Sequence, residues 1–415
     1  MIQRVFRLYR SAFTGLPRDI WVIALVSFVN RSGTMVLPFL ALYLTLMKGF
    51  TASEAGRLVG LYGIGAIFGA YAGGRLSDRF GAIRAQQASL VLGGIGYIVL
   101  GSVDGTWRLA VSILLASAMV ESFRPAVMSA IVERSPTEVK ARAFALLRLA
   151  LNLGFAIGPA VGGVLATFGY RWLFLVDAAT SWAAAALLFR IPAGPAVETG
   201  DSTRGRGRIQ SAWRDLPFLA FVVLVVILAS ALLQVLSTIP LYLREQIGLR
   251  EDAIGLLLSV NAVLIVAFEM VLIHMVRERD RMVLAALGAF LLCFGLGLLP
   301  FGRSVIYIVA TICVWTFGEM LCMPILNVIA GERSTRGRRG QYMGLYTMAF
   351  SIAFVAAPVT GTWIYSNFGP DSLWHVITAL GIVLALAFMA LRRSLELSTS
   401  AESAVFSPTT TPDPE

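Results

Sequence analysis

Several charged side chains of this chain lie inside long apolar stretches, where a charge is costly and therefore usually serves a purpose. Arg31, Glu121, Arg124 and Glu319 each lie near the middle of such a stretch. A carboxylate at such a position can take up and release a proton, and a guanidinium group suits an anion. Three further residues complete this candidate set for substrate binding and proton transfer, namely Trp315, Asn30 and Gln234. Other charges inside apolar stretches are Arg148, Asp177 and Glu269.

Glu319 is the preferred candidate for proton coupling. It has no cation within four residues on its own stretch, so an ionised carboxylate there is unpaired and an apolar surrounding favours the protonated form. Trp315, one helical turn earlier, can stack on a flat or cationic solute. Glu121 is a weaker candidate because Arg124, three residues further on the same helical face, can neutralise it. The alternative for all these charges is a structural ion pair between helices.

Other kinds of chemistry find little support in the sequence. The three cysteines lie inside apolar stretches and the two histidines are isolated, so neither a disulfide framework nor a metal site is expected. No phosphate-binding glycine loop follows a strand and no soluble catalytic domain is evident, which argues against an enzyme, a bound cofactor or ATP as the energy source. The net charge of +10 resides mainly in short loops, which indicates membrane topology rather than nucleic-acid binding.

The apolar stretches themselves predict an all-α membrane protein. The chain is 57% hydrophobic and 14% charged, with a mean hydropathy of +0.78, and a soluble domain carries roughly 25% charged residues. Segments of this length must be helical, since lipid offers the backbone no hydrogen-bond partner. Twelve spans are predicted, near residues 20–46, 53–74, 85–103, 109–133, 141–167, 172–189, 217–243, 253–276, 282–301, 304–331, 341–366 and 373–391.

The loop charges predict the orientation. The two termini and every second loop together hold 24 Lys and Arg residues, and the opposite loops hold six. Both termini are therefore expected on the cytoplasmic side of a bacterial inner membrane. No cleavable signal peptide is evident. The segment 1–19 is basic and amphipathic and is expected to lie on the cytoplasmic membrane surface. The predicted units are a cytoplasmic N-terminus at 1–19, a first bundle at 20–189, a linker at 190–216, a second bundle at 217–391 and a disordered cytoplasmic tail at 392–415.

The two halves of the chain repeat one another. A shift of 199 residues places at least eight residues of the first half on identical residues of the second. Pro125 coincides with Pro324 and Pro159 with Pro358, and both pairs occupy equivalent places in the predicted topology. The repeat predicts two copies of a six-helix unit.

The loop after the second span carries the most specific motif. Residues 74–84 read GRLSDRFGAIR, which resembles the G-x-L-x-D-R-x-G-x-x-R signature of the major facilitator superfamily at every fixed position. The resemblance implies twelve transmembrane helices in two pseudo-symmetric six-helix bundles. It also implies a conformational latch between the bundles, formed by Gly74, Asp78, Arg79, Gly81 and Arg84 with Glu133 as a carboxylate partner. The equivalent loop at 277–281, RERDR, lacks the glycines, so a weaker latch is expected there.

The fifth span carries a second motif, GFAIGPAVGG at residues 154–163. It resembles the G-x-x-x-G-P-x-x-G-G motif of the drug:proton antiporters within the same family. Gly154, Gly158, Gly162 and Gly163 allow two backbones to touch, and Pro159 bends the helix. The alternative is ordinary packing of small residues. The resemblance implies export rather than uptake, although many drug exporters carry an acidic residue in the first span where this chain has Arg31.

These observations favour one function over two others. The preferred interpretation is a monomeric secondary transporter that exports small amphipathic compounds by alternating access, driven by protons. The alternative is a transporter of a defined metabolite such as a sugar, an amino acid, a peptide or an organic anion, because Arg31 and Arg124 suit anions. A membrane enzyme or receptor is the least favoured class.

Overall fold

The computed structural model describes residues 15–136, 139–191, 212–276, 278–333 and 339–405. It confirms twelve helices that are long and apolar enough to cross a membrane, and we number them as spans one to twelve. Spans one to six form the N-half: Arg18–Met47, Ala52–Phe80, Ala82–Ser102, Thr106–Arg134, Arg142–Phe168 and Arg171–Leu188. Spans seven to twelve form the C-half: Leu216–Leu236, Glu251–Val276, Arg281–Phe301, Val305–Arg333, Gln341–Phe368 and Ser372–Arg392.

Spans one and four are interrupted near their middle, and span seven loses its α-helical form at its end. Span one consists of the helices Arg18–Ser32 and Val36–Leu42 followed by a π-helical turn, and span four consists of Thr106–Glu121 and Phe123–Arg134. Span seven passes from Leu216–Leu232 through a short 3₁₀ turn, and the separate helix Thr238–Glu245 follows it. In span four the cause is local, because Pro125 has no N–H to offer the carbonyl group of Glu121 four residues earlier.

The end of the chain differs from the prediction. The helix of span twelve continues from Ser372 to Val405, so disorder beginning at residue 392 is wrong for residues 392–405. Neither proline nor glycine occurs between Ile382 and Ser407, and helix formers such as Leu395 and Glu396 allow the helix to continue. The predicted N-terminal segment, the linker and the last part of the tail lie largely outside the described residues, which omit 1–14, 192–211 and 406–415.

The two halves meet mainly along two pairs of spans, two with eleven and five with eight. Span two presents Gly56, Gly60 and Gly63 to span eleven, where an added Cβ would lie within 3 Å of the neighbouring span. Span five presents Gly163 to Gly255 of span eight, and an added Cβ on Gly255 would lie 3.0 Å from the Gly163 Cα atom. Backbone therefore lies on backbone at both contacts, as small residues permit.

The 199-residue repeat relates these two contacts. Gly255 corresponds to Gly56. A Cβ on Gly255 would lie 2.1 Å from the carbonyl oxygen of Pro159, and a Cβ on Gly56 would lie 2.6 Å from that of Pro358. The equivalent glycines therefore approach the equivalent prolines, which extends the predicted repeat from sequence to packing.

The inter-half contacts close one side of the molecule. We call the side on which span one begins and span twelve ends the terminal side, and the other the opposite side. The contacts of Gly56 and Gly255 belong to the opposite side, since span two and span eight both begin there. Between these contacts, apolar side chains of spans one, two, seven and eleven surround one small space, among them Leu37, Leu233 and Phe354.

Ion pairs fix the helix ends on the terminal side within each half. In the N-half, Arg134 at the end of span four binds Asp19 at 2.6 Å. In the C-half, Arg333 donates two hydrogen bonds of 2.9 Å to Asp215, which also accepts from the backbone N–H of Phe218 at the start of span seven. Burial opposes the ionised form of Asp215, but these donors outweigh it and hold the pKa of that carboxyl below its ordinary value.

Candidate functional site

The interruptions of spans one and four bring charged groups of the N-half together. Arg31 lies in the last turn before the break of span one, and Glu121 ends the first helix of span four. Glu121 and Arg124 are charged neighbours of the Arg31 guanidinium group. Tyr62 of span two is buried and its hydroxyl donates a 3.2 Å hydrogen bond to the Glu121 carboxylate. We call these four residues the N-half charge cluster.

Arg31 itself has incomplete compensation. Its guanidinium group lies 4.9 Å from the ring centre of Phe155 in span five, and no carboxylate of the described residues lies within ion-pair distance of it. A cation–π contact contributes about 0.5–2 kcal/mol and the nearby helix C-terminus about 0.3–1 kcal/mol. Leaving a charge unpaired in a protein interior costs several kcal/mol. The side chain is only partly buried, which leaves it reachable for a solute or water.

Asp177 holds the break in span one. Its carboxylate is 1% exposed and accepts hydrogen bonds from the backbone N–H groups of Met35 at 3.1 Å and Val36 at 3.0 Å. These amides begin the second helix of span one and have no carbonyl partner within that helix. Asp177 therefore stabilises the polypeptide backbone, which favours the structural alternative for this residue over a role in proton transfer.

Further contacts seat the same break on span six. The Ser181 hydroxyl lies 3.5 Å from the side-chain oxygen of Asn30, and the space beside Gly33 is filled by Thr180. Asn30 is partly buried. The position of Arg31 is therefore fixed by two neighbouring spans, five and six, rather than by its own helix alone.

The C-half contributes a carboxylate with neutral partners. Glu319, near the middle of span ten, is partly buried and accepts a 2.9 Å hydrogen bond from the Asn261 side chain of span eight. Asn261 also donates to Thr316 at 3.0 Å. No cation of the described residues lies within ion-pair distance of Glu319. The described hydrogen-bond donor of this carboxylate is therefore a neutral amide.

Glu269 and Arg148 form an ion pair between the halves. Arg148 is near the start of span five and Glu269 near the end of span eight, so the pair lies towards the terminal side. The Glu269 side chain is 10% exposed and that of Arg148 is 54% exposed. Glu269 also acts electrostatically on Glu319. A change in the charge of Glu319 therefore alters the environment of this ion pair.

Two predicted cavity residues lie elsewhere. Trp315 is 1% exposed and packs against Gly295 of span nine, so its indole cannot stack on a solute. Gln234 is 3% exposed and bonds the Ala357 carbonyl of span eleven at 2.9 Å. The prediction that both line a cavity is wrong, because both side chains are buried inside the C-half.

The glycines of span five serve two contacts. Gly154, Gly158 and Gly162 face span one, where added Cβ atoms would meet the Arg31 Cβ at 2.7 Å, the Thr34 carbonyl at 3.1 Å and the Met35 Cβ at 2.9 Å. Gly163 faces span eight instead. The predicted close approach of backbones is present, and it joins span five to the interrupted part of span one on one face and to the other half on another.

The loop after span two is open in this conformation. Gly81 ends the span with φ of 86°, which requires glycine. Asp78, Arg79 and Glu133 are exposed, and neither carboxylate forms an ion pair with Arg79 or Arg84. A Cβ added to Gly74 would meet nothing within 4 Å, whereas a Cβ added to Gly73 would lie 2.2 Å from the Ser122 carbonyl oxygen of span four. The expected helix contact thus belongs to Gly73, and the predicted pairing of Glu133 is not formed here.

Sequence reasoning missed Tyr62, Phe155 and Asn261. Asn261 carried a signal, since it is an amide near the middle of an otherwise apolar span. Tyr62 and Phe155 carried none, because aromatic residues are frequent in membrane helices and only the fold shows which of them meet a charge.

The family follows from the comparison with known proteins. The model of the Major Facilitator Superfamily matches residues 20–352 and 321–411. The chain belongs to this superfamily. It is therefore a secondary transporter, and its twelve apolar helices and bacterial relatives make it a multi-pass inner-membrane protein.

Relatives of this facilitator differ in what they are named for. The uncharacterized MFS-type transporter YqjV of Bacillus subtilis is 24% identical over 391 residues, which cover 92% of this chain and 95% of that protein. A Na(+), Li(+), K(+)/H(+) antiporter of Planococcus maritimus is 24% identical, with 80% and 86% covered. Multidrug resistance protein MdtH of Escherichia coli is 23% identical, with 85% and 89% covered.

Solved structures agree in fold. A POT family transporter in complex with 5-aminolevulinic acid gives a TM-score of 0.75 at 17% identity, with 92% of this chain and 98% of that one covered. A D-xylose-proton symporter gives 0.72 at 16% identity, with 89% and 96% covered. At these identities the likeness concerns the facilitator fold alone.

Proposed function

We propose that this facilitator exports a small, amphipathic organic solute in exchange for protons. The observation that carries the proposal is Glu319, a carboxylate in the middle of span ten whose described hydrogen-bond donor is the neutral Asn261. One hydrogen bond to a charged group contributes about 1.5–3 kcal/mol. That is less than the several kcal/mol lost when a charge leaves water without a partner, so Glu319 readily takes up a proton.

Proton uptake can be linked to movement through the ion pair of Arg148 and Glu269. Protonation of Glu319 removes the repulsion between its carboxylate and that of Glu269, which favours the ionised Glu269 that binds Arg148. This ion pair joins spans five and eight, which are also joined at Gly163 and Gly255 on the opposite side. Loss of the proton weakens the link on the terminal side alone, which is the asymmetry that alternating access requires.

Export, rather than uptake, is supported by span five and by relatives. The glycines and proline at 154–163 match the antiporter motif and pack on the interrupted span one. Among the relatives are one named for multidrug resistance and one named as a cation/proton antiporter. A second candidate is transport of a defined metabolite, and the observation that favours it is Arg31, whose uncompensated charge suits an organic anion.

The experiment is transport in proteoliposomes with a pH gradient imposed in either direction. Glu319→Gln keeps the shape of the side chain and its hydrogen bond but cannot titrate. We expect this variant to lose uphill transport driven by the gradient while it still equilibrates solute down its own gradient. Glu319→Asp, which retains a titratable group, is the matched control and should retain part of the uphill transport. Full uphill transport by the Gln variant contradicts the role of Glu319.

A further inference from the structure

We propose that the transported solute carries a negatively charged group, a carboxylate or a sulfonate, and that this group binds Arg31 with Arg124 as a second source of positive charge. The inference rests on the proposed transport function but not on its direction. It concerns the N-half charge cluster, formed by Arg31, Tyr62, Glu121 and Arg124.

The first argument is the charge balance of the cluster. It contains two guanidinium groups and one carboxylate, so it holds one excess positive charge. The carboxylate of Glu121 is already engaged by the Tyr62 hydroxyl at 3.2 Å. Glu121 moreover lies beyond ion-pair distance from Arg31, although the two groups act on each other electrostatically. A single anionic group of a solute would restore neutrality.

The second argument is the way in which Arg31 is presented. The ring of Phe155 lies 4.9 Å from the guanidinium carbon, which is a cation–π contact and occupies none of the N–H groups with an acceptor. Those N–H groups form no hydrogen bond with the described residues. A planar, forked donor of this kind matches the two oxygens of a carboxylate.

The third argument is rigidity. Arg31 precedes the break of span one, whose following amides are held by the buried Asp177 and whose flank is packed on Gly154 of span five. The backbone beneath Arg31 is therefore fixed from two sides. A preorganised donor loses little freedom when a ligand binds, which is the property of a binding site rather than of a flexible surface arginine.

A different role for Arg31 would be to pair with Glu121 in another conformation of the transporter. In that case the cluster would be neutral by itself, and the charge of the solute would not matter. The two roles differ in what they predict for a ligand whose charged group is replaced by a neutral group of equal size.

The test uses a panel of paired compounds on the purified full-length protein. Each pair consists of a carboxylate or sulfonate and its amide, on aliphatic, aromatic, sugar and amino-acid frameworks. Binding is measured as the shift of the unfolding temperature and titrated for every compound that produces one. We expect the compounds that bind to be anions, with their amides at least about tenfold weaker, the usual effect of losing one charge-assisted contact.

Variants assign the effect to Arg31. Arg31→Gln should weaken anion binding about ten- to hundredfold, and Arg31→Lys, which keeps the charge without the fork, should weaken it less. Arg57→Gln, an exposed arginine of span two, is the matched control and should bind as the natural protein does. The retained unfolding transition of Arg31→Lys guards against mistaking misfolding for loss of a ligand contact.

Three outcomes would overturn the proposal. They are binding of amides as tight as that of their anions, undiminished anion binding by Arg31→Gln, and a panel in which no anion binds. The proposed function fails separately. Anion binding through Arg31 without any response of transport to a pH gradient would contradict proton coupling but support the anion site. Proton-driven transport of a neutral or cationic solute that is unaffected by Arg31→Gln would support proton coupling but contradict the anion site.

Discussion

Gly255→Ala tests whether backbone contact between the halves closes the opposite side. The added Cβ would lie 2.1 Å from the Pro159 carbonyl oxygen and 3.0 Å from the Cα atom of Gly163. Ordinary contacts of this kind are about 3.5 Å, so spans five and eight must separate by about 1 Å or more. Overpacking of this size costs about 1–3 kcal/mol, and it destabilises only the conformation in which the two spans touch.

The expected result is a shift of the conformational equilibrium by roughly five- to 150-fold towards the state that is open on the opposite side. The assay is labelling of Leu37→Cys, at the small space between the halves, by a membrane-impermeant maleimide applied from the opposite side. A background without the three natural cysteines is used. We expect labelling to become faster in Gly255→Ala, and also in Gly56→Ala, where the added Cβ would meet Thr362.

Gly344→Ala is the control for this prediction. An added Cβ on Gly344 would meet nothing within 4 Å, so the extra methyl group should leave labelling and transport unchanged. If Gly255→Ala labels and transports like the natural protein, spans five and eight have slack at this point and the closure must be made elsewhere.

Three further predictions concern the breaks and the helix ends. Asp177→Ala should destabilise the protein by about 1–3 kcal/mol, because the Val36 amide loses its acceptor whereas the Met35 amide keeps the Gly33 carbonyl, and Asp177→Asn should cost less; thermal unfolding measures both. Gly158→Leu should abolish transport while membrane insertion stays normal, since the side chain would press on the carbonyl groups of span one; transport at the natural rate would contradict the packing described for span five. The pKa of Asp215 is lower in the folded protein than its ordinary value, which is about 4 for Asp. Its pairing should therefore stabilise the fold above about pH 4, and this stabilisation should be lost as the pH falls through the folded pKa. Profiles of unfolding free energy against pH should lack this contribution in Asp215→Asn.

Most of the fold could be predicted from the hydrophobicity of the sequence and from its internal repeat. The spans are recognisable from sequence because lipid requires long apolar helices, and the 199-residue shift showed the repeat before any contact was known. The glycines at 154–163 were recognisable as a packing surface for the same reason, since a small residue every fourth position leaves a groove on one side of a helix.

The breaks inside the spans could not be predicted in the same way. The interruption of span one depends on Asp177, which is 142 residues away from Met35 in sequence, and nothing around Asp177 indicates its partner. Trp315 and Glu319 lie one turn apart, so helical periodicity placed them together. In the structure Trp315 is buried, with its backbone against Gly295 of span nine, while Glu319 accepts a hydrogen bond from Asn261 of span eight. Such assignments depend on the neighbouring helix, which a single helix does not reveal.

The bond between Asp177 and the break of span one also bears on how the chain is made. Span one is synthesised before span six, so the Asp177 carboxylate that accepts from its Met35 and Val36 amides follows 142 residues after Met35. At roughly 5–20 residues per second, that interval lasts about 7–28 s. During this time a continuous helix provides hydrogen-bond partners for more of the backbone of span one than an interrupted helix does, so we expect span one to be continuous. The shape that presents Arg31 is therefore acquired only after span six has entered the membrane, and a truncated chain that ends before Asp177 should contain a straight first span.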